Sequence, residues 1–154
     1  MGDGEAPCEL MNDEGVTCSA GVPTVWMSLL NYLAKSGQTI PSLNRVVVGG
    51  AACPLSIMDD FKKHNVNILH AWGMTETSPL ATVNSLKPGM ENLDNEALDK
   101  IRVKQGRPIF GVDLKIVDGE GHEQPWNGEA VGEKIKAKLL DYHPQIILDI
   151  IFTE

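Results

Sequence analysis

The chain has 154 residues, enough for the core of one ordinary domain, and its 42% hydrophobic and 22% charged residues exclude an intrinsically disordered chain. A net charge of −8 with no basic stripe excludes nucleic acid and anionic membrane surfaces as natural partners. No apolar run nears the ~18 residues of a membrane span, the acidic start Met1-Gly2-Asp3-Gly4-Glu5 lacks a signal-peptide layout, and Cys8, Cys18 and Cys53 form no C-x-x-C, so reduced thiols and a cytoplasmic location are expected.

In chain order, Val22, Val25, Trp26, Leu29, Leu30 and Leu33 recur at helical spacing, with Pro23 suited to the first turn and Gly37 to the end. Arg45-Val46-Val47-Val48 reads as a buried parallel strand halted by Gly49-Gly50. Ile57, Met58 and Phe61 mark a second helix, which ends in Lys62-Lys63-His64 where the helix dipole favours cations. The run Val66–His70 is the next strand, so a β-α-β unit spans Arg45 to His70. Leu80–Gly89 reads as loop and Asp94–Lys104 as a polar-faced helix. Val112, Leu114 and Ile116 alternate with Asp113 and Lys115, a half-buried strand. Asp118-Gly119-Glu120-Gly121 is a turn, after which a hairpin partner is expected.

Two strand ends point at one place. The first carries Gly49-Gly50-Ala51-Ala52; the second carries Ala71-Trp72-Gly73-Met74-Thr75-Glu76. Open α/β sheets take their ligands at the carboxyl ends of strands. Small residues let a flat ligand approach the backbone, and Trp72 offers a face for an aromatic base. Thr75 offers a hydroxyl to a phosphate oxygen. Glu76 offers a hard oxygen to Mg²⁺, which usually takes one or two carboxylates plus phosphates. This chemistry suits a nucleotide with its metal. Plainer readings stand beside it: Trp72 as core filling, Glu76 as a helix-start acid, His70 as a hydrogen-bonded wall residue, and Cys53 as a small buried hydrophobe. His64, His70, His122 and His143 show no metal-ligand spacing, so a zinc site is not expected.

The segments "VVVGGAACP", "HAWGMTETSP" and "KQGRPIFGVDLKIVD", in this order, resemble the AMP-forming adenylating enzymes, and "EGVTCSAGVPTVW" resembles the preceding segment of the medium- to long-chain fatty-acyl-CoA synthetases among them. The likeness covers about Ala6 to Glu129. That family activates a carboxylic acid with ATP to an acyl-adenylate, releases pyrophosphate, and passes the acyl group to coenzyme A. The resemblance therefore implies ATP or AMP and Mg²⁺ as cofactors, and a fatty acid, ATP and coenzyme A as small-molecule partners.

Carried over by residue, it implies that Gly50, Ala51 and Ala52 line the adenine pocket through their backbone, with Trp72 against the base. Thr75 would contact the α-phosphate, and Glu76 would help hold the metal; these two are the candidate catalytic residues. Gly49, His70, Ala71 and Gly73 would border the point where carboxylate meets phosphate, with Met74 in the same segment. Val22, Pro23, Thr24 and Trp26 would face the acyl or pantetheine side.

The fold implied is α/β: a partial adenylate-forming large domain over residues 1–130, with a mainly parallel sheet, flanking helices and a C-terminal β-hairpin. The likeness fades after Gly128-Glu129-Ala130, and residues 131–154 read as a divergent tail. The family's Ser/Thr/Gly-rich phosphate loop with its lysine, its ribose-binding aspartate and its small second domain have no counterpart in this sequence. Two functions follow: a piece of a fatty-acyl-CoA ligase with half of its nucleotide site, inactive alone, or a non-catalytic interaction module that keeps the fold. Incomplete sheets expose edges, so self-association is expected, and the β-prone run "QIILDIIF" adds to it.

Overall fold

A computed structural model describes residues 4–77, 79–125 and 127, together with the strands Lys134–Leu139 and Leu148–Ile151; for those strands and for Glu76 it describes the backbone alone. The chain forms two compact units. One comprises Met1–Trp72 and Thr82–Arg107, the other Gly73–Ala81 and Pro108–Glu154.

The first unit alternates helix and strand: α1 (Glu5–Asp13), β1 (Cys18–Gly21), α2 (Pro23–Ser36), β2 (Arg45–Val48), α3 (Leu55–Lys63), β3 (Asn67–Trp72), β4 (Thr82–Val83) and α4 (Asn95–Arg102). A two-residue strand β5 (Arg107–Pro108) ends the sheet, whose order is β1-β2-β3-β4-β5. β1, β2 and β3 run parallel, and β4 pairs antiparallel with the end of β3. The α/β class and mainly parallel sheet expected from the sequence are therefore present, with helices joining the strands.

Local chemistry explains the elements. Helix α2 opens with Val22 extended and Pro23 in the first turn, where a missing N–H costs nothing. It closes at Gly37, whose φ of 70° is left-handed and whose N–H donates to Leu33 O at 3.0 Å. Its buried stripe is Trp26, Leu29, Leu30 and Leu33, one face at helical period. Helix α3 buries Ile57, Met58 and Phe61 and carries Lys62 and Lys63 in its last turn. These faces meet Val46 and Val48 of β2, Val66, and Cys8 and Met11 of α1 in one hydrophobic cluster. At its centre Trp26 and Phe61 pack edge to face, with centroids 5.6 Å apart. Each fully buried large side chain here contributes about 1.5–3 kcal/mol.

Several expectations change. Trp26 lies in the core, as its place in the apolar stripe implied, and not on the acyl or pantetheine side that the resemblance implied: it is 1% exposed, and its indole Nε1 donates to Gly21 O at 3.1 Å. Pro23 is buried with it, while Val22 and Thr24 are exposed. Strand β3 runs from Asn67 to Trp72, so Ala71 and Trp72 lie within it rather than after it. The stretch Leu80–Gly89 is not all loop, because Thr82 and Val83 pair with Trp72 and Ala71. Two elements carried no clear sequence signal, α1 and β1, and they add a second β-α-β unit ahead of the expected one. Helix α4 forms inside the expected Asp94–Lys104 span, capped by Asp94 Oδ1, which accepts from Ala97 N at 2.8 Å.

The second unit contains a three-stranded antiparallel sheet. β6 (Val112–Val117) pairs with β7 (Lys134–Leu139), and β7 pairs with β8 (Leu148–Ile151). The expected hairpin partner of β6 follows the turn as β7, and among the described residues between them Glu123 makes an isolated bridge to Val117. Asp118 organises that turn: its carboxylate accepts from His122 N at 2.8 Å and Glu120 N at 3.1 Å. The bond from His122 leads the causes that hold this carboxyl below its ordinary range. Of the aggregation-prone run Gln145–Phe152, only Leu148–Ile151 falls among the described residues. No described helix is long and apolar enough to cross a membrane.

Candidate functional site

The parallel register sets Gly21, Val48 and His70 abreast at the carboxyl ends of β1, β2 and β3. One residue further, Gly49 N donates to Gly21 O at 3.3 Å. On its other side, a β-carbon at Gly49 would sit 3.3 Å from Ala71 O, tighter than most real contacts. Three strand ends thus come together through Gly21, Gly49 and Ala71, and a β-carbon at Gly21 would press on the Trp26 indole at 3.1 Å. Gly50 turns the chain off β2 with φ of +79°, a conformation that favours glycine, and packs beside Val22 Cγ1. Gly50, Ala51 and Ala52 are exposed and Gly49 is half-buried, so this backbone is open to a ligand. Cys53 lies under it, 4% exposed, its thiol pushed up to about 11 by burial, with Arg102 pulling the other way.

In β3, Ala71 is buried and Trp72 is half-buried. His70 is 3% exposed and sits within 3.0 Å of Val103 O through Nδ1. A carbonyl can only accept, so Nδ1 carries a proton and donates to it. Nε2 is buried and has no hydrogen-bond partner among the described residues. The wall-residue reading of His70 fits this geometry. His70 also lines a cavity of about 540 Å³ between Met58 of α3, the edge of β3, Asn84–Leu86 and the inward side of α4. None of Gly49–Ala52 or Trp72 lines that cavity.

The remaining candidates belong to the second unit. Residues Gly73–Thr77 fold into a tight turn with a 3-10 stretch over Thr75–Thr77. Gly73 is required there, since a β-carbon would overlap the Pro79 carbonyl. Thr77, absent from the sequence-based candidates, ties the turn together. It is 3% exposed, its Oγ1 accepts from Met74 N at 2.8 Å, and it lies 3.0 Å from both Met74 O and Pro79 O. This leaves Thr75 exposed with its hydroxyl free of the turn's own bonds, and Met74 half-buried. Glu76 occupies the middle of the same stretch. One carboxylate there, completed by phosphate oxygens, is a donor set that suits Mg²⁺.

Sequence reasoning also missed Thr82 and Asn84. Thr82 Oγ1 donates to Gln105 O at 2.8 Å. Asn84 Nδ2 reaches the carbonyls of Ile101, Arg102 and Lys104. Polar residues in an apparent loop read as solvated; here they are 4% and 9% exposed and receive the end of α4.

A family model described as AMP-binding enzyme matches residues 2–135. The chain is 47% identical over 131 residues to a 3-methylmercaptopropionyl-CoA ligase of Ruegeria lacuscaerulensis, covering 84% of this chain and 24% of that protein. It is 44% identical over 131 residues to a medium-chain-fatty-acid–CoA ligase of Ectopseudomonas oleovorans, covering 84% and 24%. A solved structure of the anthranilate CoA ligase AuaEII in complex with anthranoyl-AMP superposes with a TM-score of 0.69 at 22% identity, over 88% of this chain and 24% of that one. At that identity the likeness concerns the fold. The chain spans about a quarter of the length of these curated relatives.

Proposed function

The chain belongs to the AMP-binding enzyme family, and from that premise we propose that it is a portion of a fatty-acyl-CoA ligase that binds the adenylate half of the nucleotide. The observation that carries this reading is the open backbone of Gly49–Ala52 at the end of β2, in register with the strand that bears Trp72. Gly50, Ala51 and Ala52 present main-chain groups to the base, and the Trp72 ring stacks on it. Thr75 donates to the α-phosphate. Glu76 would hold Mg²⁺, which supplies positive charge at the phosphates when bound. The overall reaction is that of the whole ligase: fatty acid, ATP and coenzyme A to acyl-CoA, AMP and pyrophosphate.

Calorimetric titration with AMP, ATP·Mg²⁺ and a non-hydrolysable acyl-adenylate analogue tests the reading. AMP and the analogue are expected to bind more tightly than ATP, because the residues proposed here address the base and α-phosphate alone. No affinity for any of the three would overturn the reading in favour of a module that keeps the fold without nucleotide chemistry.

A further inference from the structure

We propose that His70 is a positioning residue: it serves the nucleotide site through Nδ1 alone, by fixing the end of α4 behind the strand that presents Trp72. The proposal rests on the nucleotide reading above for its functional meaning, and on geometry for its structural part. Helix α4 buries none of its residues fully, and Ala97, Leu98 and Ile101 are only half-buried. Its last carbonyls lack intrahelical donors, as at any helix end. Side chains from β3 and its neighbour strand supply them. His70 Nδ1–H donates to Val103 O, Asn84 Nδ2 donates to carbonyls at 101, 102 and 104, and Thr82 Oγ1 donates to Gln105 O.

The same residues hold the strand end. Asn84 N donates to His70 O at 2.8 Å, and Thr82 lies opposite Trp72 in the β3–β4 ladder. Just beyond, Gly106 lies so close over Val83 that a β-carbon would overlap its backbone. β4 is thus clamped between β3 and residues 101–106, and it holds the backbone of Trp72 from its side of the sheet. A binding or catalytic histidine would instead need Nε2 to reach the ligand. His70 is 3% exposed, and the cavity it lines includes none of Gly49–Ala52 or Trp72.

Two substitutions separate these roles. In His70→Asn the amide nitrogen replaces Nδ1 as donor and Nε2 is gone; in His70→Leu the donor is gone as well. The readouts are AMP affinity by calorimetry, the indole resonance of Trp72, and that of Trp26 as a monitor of the core. His70→Asn should bind AMP within about twofold of wild type, whereas His70→Leu should bind about tenfold more weakly, the scale of one lost hydrogen bond with a stranded carbonyl. The Trp72 resonance should shift in Leu and return in Asn, with Trp26 unmoved in both. An Asn variant as weak as Leu would mean that Nε2 acts on the ligand, and a Leu variant equal to wild type would mean that nothing is positioned; either overturns the proposal. If wild type binds no AMP, the nucleotide reading fails by itself, and the Trp72 shift with its rescue still decides the positioning role. Should His70→Leu not fold, Thr82→Val, which removes only the bond to Gln105, must shift Trp72 in the same sense or the proposal fails.

Discussion

Gly106 crosses β4 with its α-carbon so near Val83 that a β-carbon at Gly106 would overlap the Val83 carbonyl and the Asn84 nitrogen. Its φ of +88° adds a conformation that other residues adopt at a cost. Gly89 has nearly the same φ, +89°, but nothing within 4 Å of an added β-carbon. Gly89→Ala should therefore lose only the conformational part, about 1 kcal/mol. Gly106→Ala should lose about 2–4 kcal/mol, because the crossing strand must move as well. Urea midpoints of the two variants check this, and equal losses would refute the crossing.

Thr77→Val should loosen the turn that carries Thr75 and Glu76. The substitution keeps the shape and deletes a hydroxyl that accepts from Met74 N and lies against two carbonyls. Leaving that buried N–H unpaired costs about 1–3 kcal/mol. Protease cleavage within Gly73–Leu80 should become faster in the variant, and Thr75→Val, which touches none of these bonds, should leave it unchanged.

Cys53 makes stability fall on the alkaline side. Its thiol ionises near 9.0 in an unfolded chain and at about 11 when buried, so the unfolded state releases its proton first. Stability is full below pH 9 and declines as pH rises from there towards 11. Cys53→Ala should flatten that part of the pH profile measured by chemical denaturation. The native protein should react with a thiol reagent at Cys18, the exposed cysteine, well before Cys8 and Cys53, which are buried.

Trp72→Ala should weaken AMP binding by about 1–3 kcal/mol, the scale of lost base stacking. With ATP, Mg²⁺, octanoate or palmitate and coenzyme A, the chain alone should form no acyl-CoA detectable by mass spectrometry. Each missing electrostatic contact to a transferring phosphoryl or acyl group typically costs about 10²–10³ in rate. Turnover that Glu76→Ala abolishes would contradict this expectation.

Helix α2 was legible because pattern and punctuation agree: an apolar stripe, Pro23 at its start and Gly37 at its end. Strand β2 was legible for a like reason, three valines stopped by two glycines. Strand β1 was not, since Cys-Ser-Ala-Gly has no β-branched or aromatic residue and depends on pairing with β2. Helix α1 offers only Cys8 and Met11 to the core, too few to show a period. At the candidate site, chemistry-bearing residues stood out, but their supports did not. Thr77, Thr82 and Asn84 are short polar residues whose partners are backbone carbonyls distant in sequence or hidden in a turn, and no spacing rule marks those. For Trp26 two signals disagreed: its place in the apolar stripe of α2 marked it as core, while the likeness of its segment implied a ligand face, and the 3.6-residue period turns it inward.

The hydrophobic cluster draws all its members from Cys8 to Ile68, one continuous stretch of chain. Contacts between near neighbours in sequence need little loop closure, which favours early formation in a folding reaction. The nucleus is thus expected among α2, β2 and α3, with the β6–β7 sheet and the α4 crossing added after the rate-limiting step. In a chevron analysis Phe61→Leu should slow refolding, while Val112→Ala should mainly hasten unfolding. On a ribosome that core could close while residues beyond Trp72 are still being added, before the strand end that presents the proposed nucleotide face has its partners.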